Sequence, residues 1–95
     1  MIGIFTLPLA TVPYLHQTTH LPVVVDPSHG TGKRDYVPAM AMASLAAGAD
    51  GLLIEVHPDP DHAASDGAQT LDFAAFKKLL ESLKRLAEPL GKTVN

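Results

Sequence analysis

The chain contains two short apolar runs that each end in polar residues. The first run, residues 21–26, leads into Asp-Pro-Ser-His, and the second, residues 51–56, contains Glu55 and is followed by His57. Continuous apolar, β-branched stretches of this length are typical of strands buried on both faces of a parallel sheet. Parallel α/β proteins hold their functional groups at the carboxyl ends of such strands. The pattern therefore predicts two strands that bring polar side chains to one edge.

Apolar positions at helical spacing predict a long C-terminal helix over residues 72–90. One of its faces is rich in leucine and phenylalanine and the other in lysine, and Asp72 is a natural N-terminal cap. A second helix is predicted between the strands, over residues 36–47, with Asp35 as its cap and Gly48 as its stop.

With a short helix over residues 10–19, the predicted order is helix, strand, helix, strand, helix. This alternation favours a parallel sheet with right-handed crossovers. Residues 27–34 and 57–70 are predicted loops, and residues 1–7 are the one further strand candidate. Two strands cannot cover both faces and edges of a parallel sheet. Residues 1–95 are therefore expected to form a single partial domain, which is a piece of a larger barrel or open sheet or assembles with copies of itself.

Composition narrows the range of partners. The formal net charge of −3, with scattered lysines and arginines, favours neither nucleic acid nor an anionic membrane. The absence of cysteine excludes disulfides and thiolate ligands from this chain. No apolar run approaches the roughly 20 residues of a membrane span, and the apolar N-terminus lacks the basic residues of a signal peptide. We therefore expect a soluble, cytoplasmic protein.

Three side chains near the predicted sheet edge are candidate metal ligands: His29, Glu55 and Asp66. One imidazole and two carboxylates suit a divalent ion such as Mn²⁺, Fe²⁺ or Zn²⁺. The alternative is a structural role for each, in which His29 caps a turn, Glu55 pairs with a lysine and Asp66 forms a Ser-Asp-Gly turn. The cost of burying a carboxylate within Leu-Leu-Ile-Glu-Val favours a bound partner, but the spacing alone leaves both interpretations open.

Other polar residues near this edge have two interpretations each. His57 is either a further ligand or acid–base group, or a strand-end histidine that contacts the backbone. Lys33 and Arg34 follow a Gly-Thr-Gly loop and either meet a phosphate or form a solvated entry to the helix, and the Walker A spacing is absent. The remaining histidines are predicted at the surface: His16, His20 and His62.

Three segments, in this order, carry a resemblance to a known family. They are Leu-Pro-Val-Val-Val-Asp-Pro-Ser-His-Gly-Thr-Gly-Lys-Arg, Ala-Gly-Ala-Asp-Gly-Leu-Leu-Ile-Glu-Val-His-Pro and Ala-Ala-Ser-Asp-Gly-Ala-Gln-Thr-Leu. Together they resemble the C-terminal end of a 3-deoxy-D-arabino-heptulosonate 7-phosphate (DAHP) synthase of the short microbial type. The similarity covers about residues 7–95. The related 3-deoxy-octulosonate 8-phosphate synthases share the fold, but their strand-end motif differs from Asp-Pro-Ser-His.

The resemblance implies an α/β fold, namely the C-terminal quarter of a (β/α)8 TIM barrel with two parallel strands and flanking helices. It implies condensation of phosphoenolpyruvate with erythrose 4-phosphate, the first step of the shikimate pathway. It also implies a divalent metal cofactor (Mn, Fe, Zn or Co) held by His29, Glu55 and Asp66, with His29 counted as a catalytic residue as well.

The chain also departs from the family pattern. The family's cysteine ligand, and the Arg and Lys residues that grip the phosphoenolpyruvate phosphate, come from earlier strands absent here, and residues 1–6 do not match the preceding segment. The chain is therefore expected to act as a homo-oligomer or with the missing part of the barrel. The alternatives are an inactive or self-associating fragment with weak metal binding, and a piece of some other metal-dependent aldolase-like barrel.

Overall fold

The computed structural model describes residues 2–4, 9–28, 33–62 and 67–95. Three strands and three helices have both ends in these ranges, joined in part by short 3-10 turns, and residues 27–28 are helical as well, where a loop was predicted. In chain order the regular elements are β1 (Ile2–Ile4), α1 (Thr11–Thr18), β2 (Val23–Val25), α2 (Val37–Ala46), β3 (Gly51–Leu52) and α3 (Phe73–Ala87). The 3-10 turns are Arg34–Tyr36, Pro60–His62 and Gly67–Gln69. None of the helices in the described part of the chain is long and apolar enough to cross a membrane.

The strands form one parallel sheet in the order β1-β2-β3. Both predicted strands are confirmed, and β1 adds a third from the segment that was only a candidate. Val23 and Val25 of β2 share one face of the strand and are fully buried, while Val24 on the other face is half-buried. The central strand therefore anchors the sheet, with β1 and β3 at its two sides.

The third strand is shorter than the predicted residues 51–56. Regular pairing with β2 covers Gly51–Leu52, and the amide of Leu53 continues it by donating to the carbonyl oxygen of Val25 at 2.9 Å. Farther along, Val56 pairs with Leu71 in an isolated parallel bridge. Because β2 stops pairing after Val25, the chain beyond Leu53 leaves the ladder and takes a partner from the segment before α3.

Two apolar clusters cover the sheet. One lies between α2 and α3 and contains Val37, Ala41, Leu45, Leu71, Leu79, Leu83 and Ala87. The other packs α1 against β2 and contains Val12, Val23, Val25 and Ala49. The predicted apolar face of α3 is buried at Leu79, Leu83 and Ala87, whereas Phe73 at its start is 60% exposed and Leu90, beyond its end, is 41% exposed. The helices are therefore held to the sheet mainly through leucine, valine and alanine side chains.

The predicted helix limits are largely confirmed. The Asp72 carboxylate caps α3 by accepting from the amide of Ala75 at 2.7 Å. Gly48 follows α2 with φ of +106°, a left-handed conformation that glycine adopts without strain. The prediction that Asp35 caps α2 is wrong: Asp35 lies within the turn Arg34–Tyr36, so the capping position falls on Tyr36, whose side chain makes no capping bond.

A polar cluster closes the amino end of the sheet. The Asp50 carboxylate accepts from the amide of Val23 and contacts His16 Nε2, both at 2.8 Å. His16 is exposed as predicted, but its link to Asp50 was not foreseen. The Val23 amide, followed by the His16 imidazole, holds the pKa of the Asp50 carboxyl below its usual range. Asp50 thus ties α1 and the start of β2 to the turn before β3.

Replacement of Asp50 should remove a pH-dependent part of the stability. A depressed folded-state pKa contributes stability that is present above the unfolded pKa of about 3.9 and is lost as the pH falls through the folded pKa. We expect Asp50→Asn to lower the free energy of unfolding at pH 7 by on the order of 1 kcal/mol, since the carboxylate is partly exposed. Urea unfolding at pH 7 and pH 3 measures this.

The difference in the free energy of unfolding between wild type and Asp50→Asn should be smaller at pH 3 than at pH 7. Glu81→Gln, which removes one charge from the exposed face of α3, serves as the control and should show no such change. An Asp50→Asn deficit of equal size at pH 3 would contradict the assignment.

Candidate functional site

The carboxyl ends of β2 and β3 meet at one edge of the sheet. Val25 pairs with Leu52. Three residues after each of them, beyond the ends of the strands, the amide of Glu55 donates to Ser28 Oγ at 3.2 Å. Ser28 is fully buried and directly precedes His29 in the chain. The Asp-Pro-Ser-His segment and Glu55 therefore belong to the same edge, as expected for parallel strands.

Glu55 is the one predicted metal ligand whose surroundings the structure describes. Its side chain is half-buried, and Oε2 accepts a hydrogen bond from Thr70 Oγ1 at 3.3 Å. Its backbone is fixed as well, since the carbonyl oxygen accepts from the amide of Leu71 at 3.0 Å.

The other two predicted ligands, His29 and Asp66, lie outside the described residues. Among residues 2–4, 9–28, 33–62 and 67–95, no group of three or more His, Asp or Glu side chains is arranged to hold a metal ion. The donor set of one imidazole and two carboxylates is chemically suited to a divalent ion. The half-buried Glu55 carboxylate at the sheet edge fits such a group, and the ligand set stays a prediction.

His57 makes a local contact. Its Nδ1 accepts a hydrogen bond from the amide of Asp59 at 2.9 Å, so a neutral ring carries its proton on Nε2. The structure thus shows the backbone contact that the strand-end interpretation of His57 predicts. His62 is exposed, as predicted, and its Nδ1 contacts Asp59 Oδ2 at 2.6 Å.

Arg34 joins the loop after β2 to the loop after β3. One of its terminal nitrogens donates to Asp61 Oδ1 at 2.9 Å and to the carbonyl oxygen of Gly67 at 2.6 Å. The prediction of a solvated helix entry is therefore wrong for Arg34, which is half-buried between the loops. Lys33 lies 5.4 Å from the centre of the Tyr36 ring, a cation–π distance. The loop before α2 is thus held by side-chain contacts.

Gly67 is needed for a close approach between the two turns of the second loop. A Cβ atom at this position would lie 2.4 Å from the carbonyl oxygen of Pro60, closer than any tolerated contact. Pro60 is itself buried. The Arg34 contact therefore acts on a segment whose backbone is already tightly packed.

The sequence motif of the DAHP synthetase I family matches residues 4–91. The chain belongs to this family. The phospho-2-dehydro-3-deoxyheptonate aldolase of Thermotoga maritima is 49% identical over 90 residues, which is 95% of this chain and 27% of that protein. A truncated 3-deoxy-D-arabino-heptulosonate 7-phosphate synthase from the same organism superimposes with a TM-score of 0.92, over 95% of this chain and 34% of that one. The chain thus corresponds to a fragment of the DAHP synthase barrel.

Relatives named for a different activity also match. The 2-dehydro-3-deoxyphosphooctonate aldolase of a Bradyrhizobium strain is 41% identical over 86 residues, covering 79% of this chain and 30% of that protein. This identity is lower than that of the Thermotoga protein and extends over less of the chain. The chain spans about a quarter to a third of the length of these relatives.

Loss of the Arg34 contacts should loosen the loop after β3. We expect Arg34→Gln to lower the free energy of unfolding by on the order of 1–2 kcal/mol and to speed amide exchange at Thr70, whose amide donates to the Gly67 carbonyl oxygen. Urea unfolding and hydrogen exchange measure the two effects. Arg85→Gln, on the exposed side of α3, is the matched control. Equal exchange at Thr70 in both variants would refute the role of Arg34.

Proposed function

We propose that this chain supplies the metal-binding end of a DAHP synthase, which condenses phosphoenolpyruvate with erythrose 4-phosphate in the shikimate pathway. The observation that carries the proposal is the family match over residues 4–91, together with 49% identity to the Thermotoga protein. The position of Glu55 beside Ser28, at the carboxyl edge of the sheet, supports it. Function at this edge is the rule in parallel α/β barrels.

His29, Glu55 and Asp66 would hold a divalent ion, and when bound this ion would polarise the aldehyde oxygen of erythrose 4-phosphate. His29 would act as a catalytic residue as well. Carboxylate and imidazole donors suit several first-row metals, so Mn, Fe, Zn and Co all remain compatible with the set. The contribution of this chain is to fix the ligand side chains on two adjacent strand ends and the loop that follows.

The chain alone lacks groups that the proposed reaction needs. The family's fourth ligand is a cysteine, and this chain has none. The Arg and Lys residues that grip phosphoenolpyruvate would likewise come from the earlier part of the barrel. We therefore propose that residues 1–95 are one partial domain that works in the cytoplasm together with the rest of a barrel or with copies of itself.

A second candidate is an inactive or self-associating fragment. The observation that favours it is the uncovered apolar surface beside β3, where Leu53 is 55% exposed. A cavity of about 410 Å³ next to this strand is lined in part by Leu52, Ile54 and Phe76. Uncovered apolar surface beside an edge strand is a site for association with another chain.

Complementation separates the two candidates. Phosphoenolpyruvate consumption is measured with erythrose 4-phosphate and Mn²⁺, using the chain alone and the chain mixed with the N-terminal portion of a related barrel. We expect activity only in the mixture, because each part lacks some of the ligands. If neither sample consumes phosphoenolpyruvate although the chain is folded and soluble, the inactive fragment is favoured.

Within the active mixture, replacing a proposed ligand should abolish turnover. His29→Ala, Glu55→Ala and Asp66→Ala are each expected to lower the rate by at least about 100-fold, since loss of a residue that merely holds a metal ligand in place already costs about 10–100-fold. His57→Ala should have a milder effect, because the contact at its Nδ1 is with the local backbone. Wild-type rates in any of the three ligand variants would remove that residue from the set.

A further inference from the structure

Two buried hydroxyl groups contact Glu55 at different points. Ser28 Oγ accepts from the Glu55 amide at 3.2 Å, and Thr70 Oγ1 donates to the Glu55 carboxylate at 3.3 Å. Ser28 is 0% and Thr70 3% exposed, so neither side chain is a surface residue that meets Glu55 by chance. One hydroxyl therefore acts on the backbone of Glu55 and the other on its carboxylate.

Thr70 is held in place by the backbone of the residue that follows it. The amide of the next residue, Leu71, donates to the Glu55 carbonyl oxygen, and the Leu71 carbonyl oxygen accepts from the amide of His57 at 2.9 Å. These two bonds make up the isolated bridge between Val56 and Leu71. Because the bridge fixes the backbone next to Thr70, its hydroxyl is presented to Glu55 by the fold rather than by a mobile loop.

A glutamate that binds a metal must hold its carboxylate in one orientation. A free glutamate side chain populates several rotamers, and fixing it costs conformational entropy when the ligand binds. Hydrogen bonds from neighbouring groups reduce this cost in advance, and carboxylates that ligate metals usually have such partners. The Thr70 hydroxyl is placed to do this, because it donates a hydrogen bond to one oxygen of the Glu55 carboxylate.

We propose that Thr70 and Ser28 are positioning residues that hold Glu55 ready for a divalent cation. Neither residue is a ligand in this scheme. Thr70 orients the carboxylate, while Ser28 fixes the backbone of Glu55 against the end of β2. The proposal rests on the proposed function, in that it requires Glu55 to be a metal ligand.

The test is Mn²⁺ binding to the 95-residue chain mixed with the N-terminal portion of a related barrel, measured as the loss of the electron paramagnetic resonance signal of free Mn²⁺. Thr70→Val keeps the shape of the side chain and removes its hydroxyl, so we expect its Kd for Mn²⁺ to rise about 10-fold. Thr70→Ser keeps the hydroxyl and should bind nearly as wild type. Ser28→Ala should also bind more weakly, and Glu55→Gln should bind weakest of all.

A buried hydroxyl elsewhere provides the control for stability. Ser44 is fully buried in α2, where its Oγ donates to the Met40 carbonyl oxygen at 2.7 Å, away from Glu55. Ser44→Ala should lower the urea midpoint but leave the Kd unchanged. If Ser44→Ala weakens Mn²⁺ binding as much as Thr70→Val does, the effect is general destabilisation and the positioning role is overturned.

The remaining outcomes separate this proposal from the one it rests on. If Glu55→Gln loses Mn²⁺ while Thr70→Val binds as wild type, the positioning role fails and the metal site stands. If the mixture with the wild-type chain does not bind Mn²⁺, or the mixture with Glu55→Gln binds it equally well, Glu55 is not a ligand and both proposals are overturned.

Discussion

The parallel pairing of β2 with its two neighbours is the constraint on which the rest of the structure depends. Val23 and Val25 lie fully buried in this central strand, and the ladder fixes Val25 opposite Leu52. A slip of one residue would turn every side chain of a strand to the opposite face. The same register brings Ser28 against Glu55 once the strands have ended. Burial of two valines thus determines which polar groups meet at the functional edge.

Beyond the strands, polar contacts take over the role that apolar packing has in the sheet. The loop after β3 is held by the bridge between Val56 and Leu71 and by the guanidinium of Arg34. Each group that is buried there has a partner: among the described residues, no buried side-chain nitrogen or oxygen lacks a hydrogen bond. A loop built in this way can place side chains accurately without a large apolar core, provided that its hydrogen bonds stay intact.

Local signals in the sequence were sufficient for the elements but not for their contacts. Valine-rich strands, the leucine stripe of α3 and the cap at Asp72 follow from patterns within a few residues. By contrast, Arg34 bonds to residues 27 and 33 positions away, and the link between His16 and Asp50 spans 34 positions. Such pairs form because the strands are adjacent in space, and the spacing of residues along the chain does not predict them.

The residues of the candidate site divide in the same way, into those that the sequence indicated and those that it did not. His29, Glu55 and Asp66 stood out as candidate ligands from their residue types near the strand ends, and the resemblance to a family then favoured the metal interpretation. The contributions of Ser28 and Thr70 were missed, because serine and threonine are common at strand ends and turns for local reasons. Only the three-dimensional neighbourhood distinguishes a hydroxyl that orients a carboxylate from one that closes a turn.

The bridge between Val56 and Leu71 also has a consequence for how this family can diverge. It ties together the two ends of the intervening loop, residues 57–70, so both ends keep their places when the loop between them changes. Closure entropy rises slowly with loop length, by about 0.6 kcal/mol for each doubling. Insertions between these ends would therefore cost little stability. A change of length at the exposed part of the loop, around Pro58 and Asp59, would leave Thr70 and the Glu55 carboxylate where the bridge holds them.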